Sequence, residues 1–159
     1  MATCSIPIAD LAATEAFGRQ LGALLFPGAV IALVGPLGAG KTHLVRAIAE
    51  GLGVRNTATV NSPTFVLIQE YAARLPIYHF DAYRLSSPRE FAELGASEYF
   101  HGSGVCLIEW ADRVERVLPA EHLRIAITVV DEQRRRFELS AVGSLYEELL
   151  ERLEAPLSG

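Results

Sequence analysis

The chain has 159 residues and a formal net charge of −5, which disfavours direct, electrostatically driven binding to nucleic acid. Half of the residues are hydrophobic, enough for one domain with a substantial core, so we predict a single domain over residues 1–159. No apolar run approaches the ~20 residues of a membrane span and no signal peptide is visible, which predicts a cytoplasmic protein with no membrane association.

The first elements are a short strand and an amphipathic helix. Residues 3–8 are typical of an edge strand, since Pro7 cannot donate a hydrogen bond within a central one. Asp10 is a candidate N-cap, and the apolar residues that follow keep helical spacing until Pro27 and Gly28. The cysteines, Cys4 and Cys106, are too few for a disulfide framework, so we expect free thiols.

The next stretch carries the clearest chemical motif. Residues 35–42, G-P-L-G-A-G-K-T, match the phosphate-binding P-loop pattern G-x-x-x-x-G-K-[ST]. An apolar run rich in β-branched residues at 29–34 precedes it and predicts a buried strand. A helical pattern follows, with Gly51 and Gly53 as stop signals. Strand, glycine loop and helix are the setting that this motif needs.

The residue types of the motif match polyphosphate chemistry. Glycines allow backbone N–H groups to close around an anion, and the start of the following helix adds a partial positive charge. Lys41 can reach the β- and γ-phosphates, and the Thr42 hydroxyl can bind Mg²⁺. Lys41 is also the only lysine of the chain, while every other residue among its 14 lysines and arginines is arginine. Lysine therefore occurs where a compact ammonium is needed.

Two strands and a helix are predicted beyond the P-loop helix. Alternating residues at 65–71 and a second run at 76–81 predict strands, and the short connection 72–75 predicts an antiparallel hairpin. A hairpin is unusual beside a P-loop strand, where parallel crossovers are expected. Pro88 after two serines then predicts a helix start.

Two carboxylates are predicted at strand ends. Residues 105–109 are four apolar residues followed by Glu109, the Walker B pattern of a buried strand that ends in an acid. Asp81 ends the preceding strand, where it can bind Mg²⁺ through water or orient the attacking water. For His79 and Tyr83 the sequence leaves core packing and function open. Trp110 either shields the phosphate site or fills the core.

The last elements are a hairpin and a helix. Residues 124–130 and 136–141 predict two strands, and residues 143–154 predict a closing helix. Its predicted inward face comprises Leu145, Leu149, Leu150 and Leu153. The arginines at 134–136 fit either a patch that binds nucleic acid or phosphate, or a solvated turn.

Four ordered motifs together resemble the bacterial TsaE (YjeE) family. They are the P-loop at 35–42, V-x-S-P-T-F-x-L at 60–67, Y-H-x-D-x-Y-R-L at 78–85 and L-I-E-W at 107–110. The similarity extends from about residue 10 to residue 141. It implies an α/β P-loop NTPase fold, a three-layer sandwich with a mixed parallel/antiparallel sheet, as the predicted hairpin requires.

The resemblance also implies a function and partners. It implies binding of ATP with Mg²⁺ and slow hydrolysis, in support of the threonylcarbamoyl modification of adenosine 37 in tRNAs that read ANN codons. The TsaB–TsaD complex is the implied partner; TsaD performs the transfer, and tRNA is reached only indirectly through that complex.

The implied site combines the motif residues. Asp81 or Glu109 orients the attacking water, Thr64 senses the γ-phosphate from a switch-like loop at 62–65, and Thr42, Glu109 and Asp81 serve as metal ligands. The predicted nucleotide-binding residues are Gly35, Leu37, Gly38, Ala39, Gly40, Lys41, Thr42, His43 and Arg135.

Three alternative functions also involve a nucleotide. A GTPase needs an N-K-x-D motif, which a chain without a second lysine cannot contain. A small-molecule kinase of the nucleoside or shikimate type has a similar size and P-loop, but usually carries a lid with clustered arginines between its later helices. The only such cluster here is 134–136, near the end. A nucleotide-gated assembly factor with negligible turnover remains open.

Overall fold

A computed structural model describes residues 1–36, 38–55, 68–83, 88–93 and 95–154. Seven strands and five α-helices occur in these ranges. The strands are β1 Ala2–Ile8, β2 Val30–Val34, β3 Ile68–Tyr71, β4 Ile77–Asp81, β5 Val105–Glu109, β6 His122–Val129 and β7 Arg135–Val142. The helices are α1 Leu11–Leu24, α2 Lys41–Gly51, α3 Pro88–Glu93, α4 Ala96–Phe100 and α5 Ser144–Glu154, and a 3₁₀ segment Ala111–Val117 follows β5.

All seven strands form one mixed sheet in the order β1-β7-β6-β2-β5-β4-β3. The four central strands, β6, β2, β5 and β4, are parallel to one another. The edges are antiparallel: β3 pairs with β4, and β7 pairs with β6 and β1. The mixed sheet and the β3–β4 hairpin predicted from the sequence are confirmed, and β1 is the edge strand that Pro7 requires.

Two apolar layers cover the sheet, one on each face. Alternate residues of β2 point to opposite faces, so Ile31 and Leu33 pack against α1, α2 and α5, while Val30 and Ala32 pack against α3, α4 and the 3₁₀ segment. Burial of each large apolar side chain contributes about 1.5–3 kcal/mol. The predicted three-layer sandwich is therefore confirmed. In the part of the chain that the structure describes, no helix is long and apolar enough to cross a bilayer.

The helix starts follow the local signals. The Asp10 carboxylate caps α1 by accepting a hydrogen bond of 2.9 Å from the Ala13 N–H. α3 begins at Pro88, as predicted. One prediction about α5 is wrong: Leu145 is 55% exposed, and Tyr146 occupies the inward position instead. The Tyr146 hydroxyl accepts a hydrogen bond of 2.9 Å from the Val30 N–H, which fixes the rotation of α5 against the sheet.

Candidate functional site

The loop between β2 and α2 carries the P-loop motif and includes two glycines in the left-handed region. Gly38 and Gly40 have φ values of 79° and 98°, in the left-handed region that favours glycine. A Cβ added at either position would face open space, so the loop borders an accessible site. The Ala39 N–H donates to the Pro36 carbonyl at 3.1 Å and closes the turn before α2. Leu37 lies outside the described residues.

Lys41 is the first residue of α2 and is only 6% exposed. Its Nζ donates to the carbonyls of Gly35 at 2.5 Å and Pro36 at 2.9 Å. The ammonium also lies 3.9 Å from the centre of the Trp110 ring, a cation–π contact. Burial lowers the pKa of Lys41, and the carboxylates of Glu109, Asp112 and Asp81 oppose this shift. The ammonium is thus held at the loop that would receive an anion.

Thr42 and Glu109 meet beside this ammonium. The Thr42 hydroxyl donates to Glu109 Oε1 at 3.4 Å. The other carboxylate oxygen, Oε2, accepts a hydrogen bond of 2.6 Å from His79 Nε2, and both partners are buried, with exposed fractions of 3% and 0%. A buried carboxylate is stable only when such partners satisfy it. The pattern at 105–109 therefore places its acid next to the P-loop, as the Walker B interpretation requires.

Asp81 lies directly opposite Glu109, because β4 and β5 are parallel and in register there. Its Oδ1 accepts a hydrogen bond of 2.9 Å from the Tyr83 N–H. The structure thus brings together both predicted carboxylates. Thr64 and the predicted switch-like loop at 62–65 lie outside the described residues.

An aromatic wall flanks the P-loop lysine. Trp110 has a φ of 58°, unusual for a residue other than glycine. Its ring is 4.8 Å from that of Tyr83, and the Arg113 guanidinium lies 5.1 Å from the Tyr83 ring. Trp110 also packs against the smaller apolar layer. Part of the ring therefore fills the core and its face contacts Lys41, while shielding of a phosphate site stays a prediction.

Two cavities meet at the P-loop. They share Gly38, Ala39, Gly40 and His43. The first has a volume of about 360 Å³ and is also lined by Lys41, Thr42, Asp81, Tyr83, Glu109 and Trp110. The second has a volume of about 590 Å³ and is also lined by Asp10, Leu11, Ala12, Thr14, Glu132, Gln133 and Arg135. Every predicted site residue that the structure describes, except Gly35, therefore lines one or both of these cavities.

Arg135 reaches the P-loop from the last hairpin. Its Nε donates to the Ala39 carbonyl at 3.1 Å, and its Nη1 donates to the Asp131 carbonyl at 2.7 Å. Arg134 instead pairs with the Asp131 carboxylate at 2.7 Å, within the same turn. The arginine cluster is thus divided between a brace of the P-loop and a solvated turn, and neither of these arginines extends from a lid helix as in the kinase alternative.

His79 is one of the residues for which the sequence left core packing and function open. The sequence carries a signal for its contact with Glu109. Residues 79 and 81 are two apart on one predicted strand, and residues 107 and 109 are two apart on another. Residues two apart share a face of a sheet. The strand order and register that bring these faces together were not evident from the sequence.

Comparisons with known proteins agree with this geometry. The model of a family described as threonylcarbamoyl adenosine biosynthesis protein TsaE matches residues 8–137. The Bacillus subtilis tRNA threonylcarbamoyladenosine biosynthesis protein TsaE is 48% identical over 141 residues, which cover 88% of this chain and 87% of that protein. The protein of the same name from Treponema pallidum is 42% identical over 127 residues, covering 80% and 93% of the two chains.

A solved structure is similar across nearly the whole chain. The crystal structure of Bacillus subtilis YdiB superposes with a TM-score of 0.79 at 40% identity, covering 96% of this chain and 94% of that one. The predicted P-loop NTPase fold class is thereby confirmed.

Proposed function

The chain belongs to the TsaE family, and on that premise we propose that it binds ATP with Mg²⁺, hydrolyses it slowly and so supports threonylcarbamoyladenosine formation in tRNA. One observation carries the proposal. Lys41, Thr42 and Glu109 line the same cavity, with the threonine hydroxyl 3.4 Å from the glutamate oxygen. These are the lysine, hydroxyl and acid that phosphoryl chemistry at a P-loop requires.

The loop residues bind the phosphates in this proposal. The backbone N–H groups of residues 37–41 donate to phosphate oxygens at the start of α2, where the helix dipole adds a positive potential. Lys41 turns its ammonium from the carbonyls of Gly35 and Pro36 towards the β- and γ-phosphates. Gly38 and Gly40 leave room for close approach, because no side chain projects from them.

The donor set near Glu109 fits magnesium. Thr42 Oγ1 and a Glu109 carboxylate oxygen are hard oxygen donors close together, and Asp81 lies opposite Glu109 in the sheet. Magnesium prefers oxygen ligands and is usually held by one or two carboxylates together with phosphates and water. In the described ranges no three His, Cys, Asp or Glu side chains form a metal site by themselves. When bound, the ion neutralises charge on the phosphate oxygens.

Asp81 or Glu109 orients the attacking water in this mechanism. We expect slow hydrolysis by the isolated chain, because Arg135 already donates to the Ala39 carbonyl and to carbonyls of its own turn. An arginine finger typically contributes about 10³–10⁵ in rate. A partner that completes the site would therefore accelerate turnover.

We propose the TsaB–TsaD complex as that partner. The curated relatives are named for tRNA threonylcarbamoyladenosine biosynthesis, and the net charge of −5 argues against direct contact with tRNA. In this proposal TsaD performs the transfer to adenosine 37, and the ATPase cycle of this chain supports repeated turnover.

The test is ATP turnover with Mg²⁺, for the chain alone and with purified TsaB and TsaD homologues. We expect slow hydrolysis alone and a changed rate when both partners are present. If the partners change nothing and a small-molecule acceptor consumes ATP stoichiometrically, the chain is a kinase and the proposal fails.

Lys41→Ala is the matching test of the P-loop. The substitution removes the ammonium beside the cradle, so we expect nucleotide binding to be lost in calorimetry. Arg89→Ala is the control, because it removes a basic side chain that is 87% exposed and pairs with Glu93 on α3. Unchanged ATP affinity in Lys41→Ala would contradict the P-loop assignment.

A further inference from the structure

His79 is fully buried, yet the mechanism proposed above gives it no task. Its Nε2 lies 2.6 Å from Glu109 Oε2. An ionised carboxylate can only accept hydrogen bonds, so the proton of this contact belongs to Nε2 of the ring. The contact therefore fixes one of the two oxygens of Glu109.

The sheet register produces this contact. β4 and β5 are parallel, and His79 lies opposite Leu107. Glu109 is two residues beyond Leu107 and therefore projects from the same face of the sheet. His79 and Glu109 form a diagonal cross-strand pair within reach of their long side chains. Both positions are set by the paired backbones of the central sheet, where little movement is possible.

The other side of the imidazole faces the edge strand. Gln69 of β3 lies opposite His79, and the Tyr71 hydroxyl is 3.4 Å from Nδ1. The same hydroxyl donates to the Gln69 side-chain oxygen. The hydrogen bond from Nε2 to Glu109 thus sets the orientation of the imidazole, and the Tyr71 hydroxyl is a polar neighbour of Nδ1.

From this geometry we infer that His79 is a positioning residue, which holds Glu109 Oε2 so that Oε1 is directed at Thr42 and the proposed Mg²⁺ position. The Tyr71 hydroxyl lies 3.4 Å from the other ring nitrogen, Nδ1. The inference rests on the proposed function, since it concerns how the chain prepares its magnesium ligands. Loss of such an outer hydrogen-bond partner typically lowers metal affinity or activity about 10–100-fold.

Two amide substitutions separate positioning from packing. The His79→Gln side chain can place an N–H donor near the position of Nε2, whereas His79→Asn is too short to reach Glu109. Both residues are polar amides that differ by one methylene group, and the urea midpoints report the difference in packing. Binding of the non-hydrolysable analogue AMP-PNP is measured by calorimetry with and without Mg²⁺, together with the urea midpoint of each variant.

Mg²⁺ should raise the affinity of the wild type for AMP-PNP, and we expect this gain to be about 10–100-fold smaller in His79→Asn. Without Mg²⁺, the affinity of His79→Asn for AMP-PNP should be near that of the wild type. His79→Gln should retain most of the gain. Equal behaviour of the two variants, or an equal loss with and without Mg²⁺, overturns the inference and indicates a packing role. A wild-type chain whose affinity does not respond to Mg²⁺ overturns the proposed function as well.

Two further variants complete the test. His122→Asn changes a half-buried histidine whose Nδ1 lies 2.8 Å from the Pro119 carbonyl, at the amino end of β6, so the Mg²⁺-dependent gain should persist. Tyr71→Phe removes only the hydroxyl behind His79 and should lower the gain less than His79→Asn does. If His79→Asn does not fold, His79→Gln decides: a folded His79→Gln variant that loses the Mg²⁺-dependent gain overturns the inference.

Discussion

At the scale of residues, the site is built from side chains that hydrogen-bond to one another and to the P-loop. Lys41 donates to two loop carbonyls, and Glu109 accepts from His79 and Thr42. Charged groups with such partners keep their positions in a partly buried site, where unpaired ones would be unstable. These contacts hold Glu109 beside Thr42, whereas Lys41 exchanges its two loop carbonyls for phosphate oxygens in the proposed function.

Arg135 provides a test of whether contacts to the P-loop affect nucleotide binding. Arg135→Leu removes the hydrogen bond to the Ala39 carbonyl, so we expect nucleotide affinity to fall about 10–100-fold, since a hydrogen bond from a charged donor contributes about 1.5–3 kcal/mol. Arg136→Leu is the control, because Arg136 is the next residue along the strand and its side chain is exposed. Calorimetry with ATP and Mg²⁺ measures both. Equal affinities would show that the brace does not shape the loop.

At the scale of elements, α1 and α2 approach unusually closely. A Cβ added at Gly22 would lie 2.2 Å from the Ile48 carbonyl oxygen, and one at Gly51 would lie 2.3 Å from the Arg19 carbonyl oxygen. Only glycine allows the two backbones this separation. Because α2 carries Lys41 and Thr42 in its first turn, this contact also holds the P-loop helix in place.

Gly22→Ala should therefore destabilise the fold by about 1–3 kcal/mol, the range for overpacking. This direction opposes helix propensity, which favours alanine over glycine by roughly 1 kcal/mol. Gly102→Ala is the control, because its added Cβ would lie at an ordinary 3.4 Å from the nearest atom. Urea unfolding measures both variants. A stabilised Gly22→Ala variant would mean that the helices move apart without penalty.

The turn of the last hairpin predicts a dependence on pH. Hydrogen bonds from Arg134 and Gln133 lower the pKa of the Asp131 carboxyl from 3.8 to about 2. The folded state therefore favours the ionised carboxylate. The contribution of this carboxylate to the stability of the fold is complete well above pH 3.8 and disappears as the pH falls towards 2. Asp131→Ala should lower the urea midpoint at pH 7, and the difference from the wild type should narrow below pH 4.

Glu132→Ala is the matched control for this experiment, because it removes the next exposed carboxylate of the same turn. Its difference from the wild type should stay small at both pH values. If the difference in urea midpoint between Asp131→Ala and the wild type stays constant down to pH 2, the charge of Asp131 does not stabilise the turn.

At the scale of the whole molecule, the central sheet connects two apolar layers. The strands β2 and β5 contribute side chains to both layers in alternation. Loss of either layer would expose one face of the same strands, so we expect residues 1–159 to unfold as one domain in a single transition.

Two probes measure that transition. Trp110 is the only tryptophan and packs against the smaller layer, so its fluorescence reports that side of the sheet. Far-UV circular dichroism is dominated by the helices, of which α1, α2 and α5 cover the other face. The two urea curves should coincide. Separate midpoints would indicate two units that unfold independently.

The sequence by itself determined the P-loop, the Walker B acid, the antiparallel hairpin and most helix starts. Each depends on neighbouring residues, because a glycine turn, a cap or a strand alternation is a local property. The family resemblance extended that information to the mixed sheet.

Only the tertiary structure decided the contacts of His79 with Glu109, Arg135 with Ala39 and Tyr146 with Val30. These residues are 30, 96 and 116 positions apart in the chain. Whether they meet depends on strand order, register and the rotation of a helix on the sheet. Those are set by the packing of the whole core, since side-chain period alone cannot select which faces lie together.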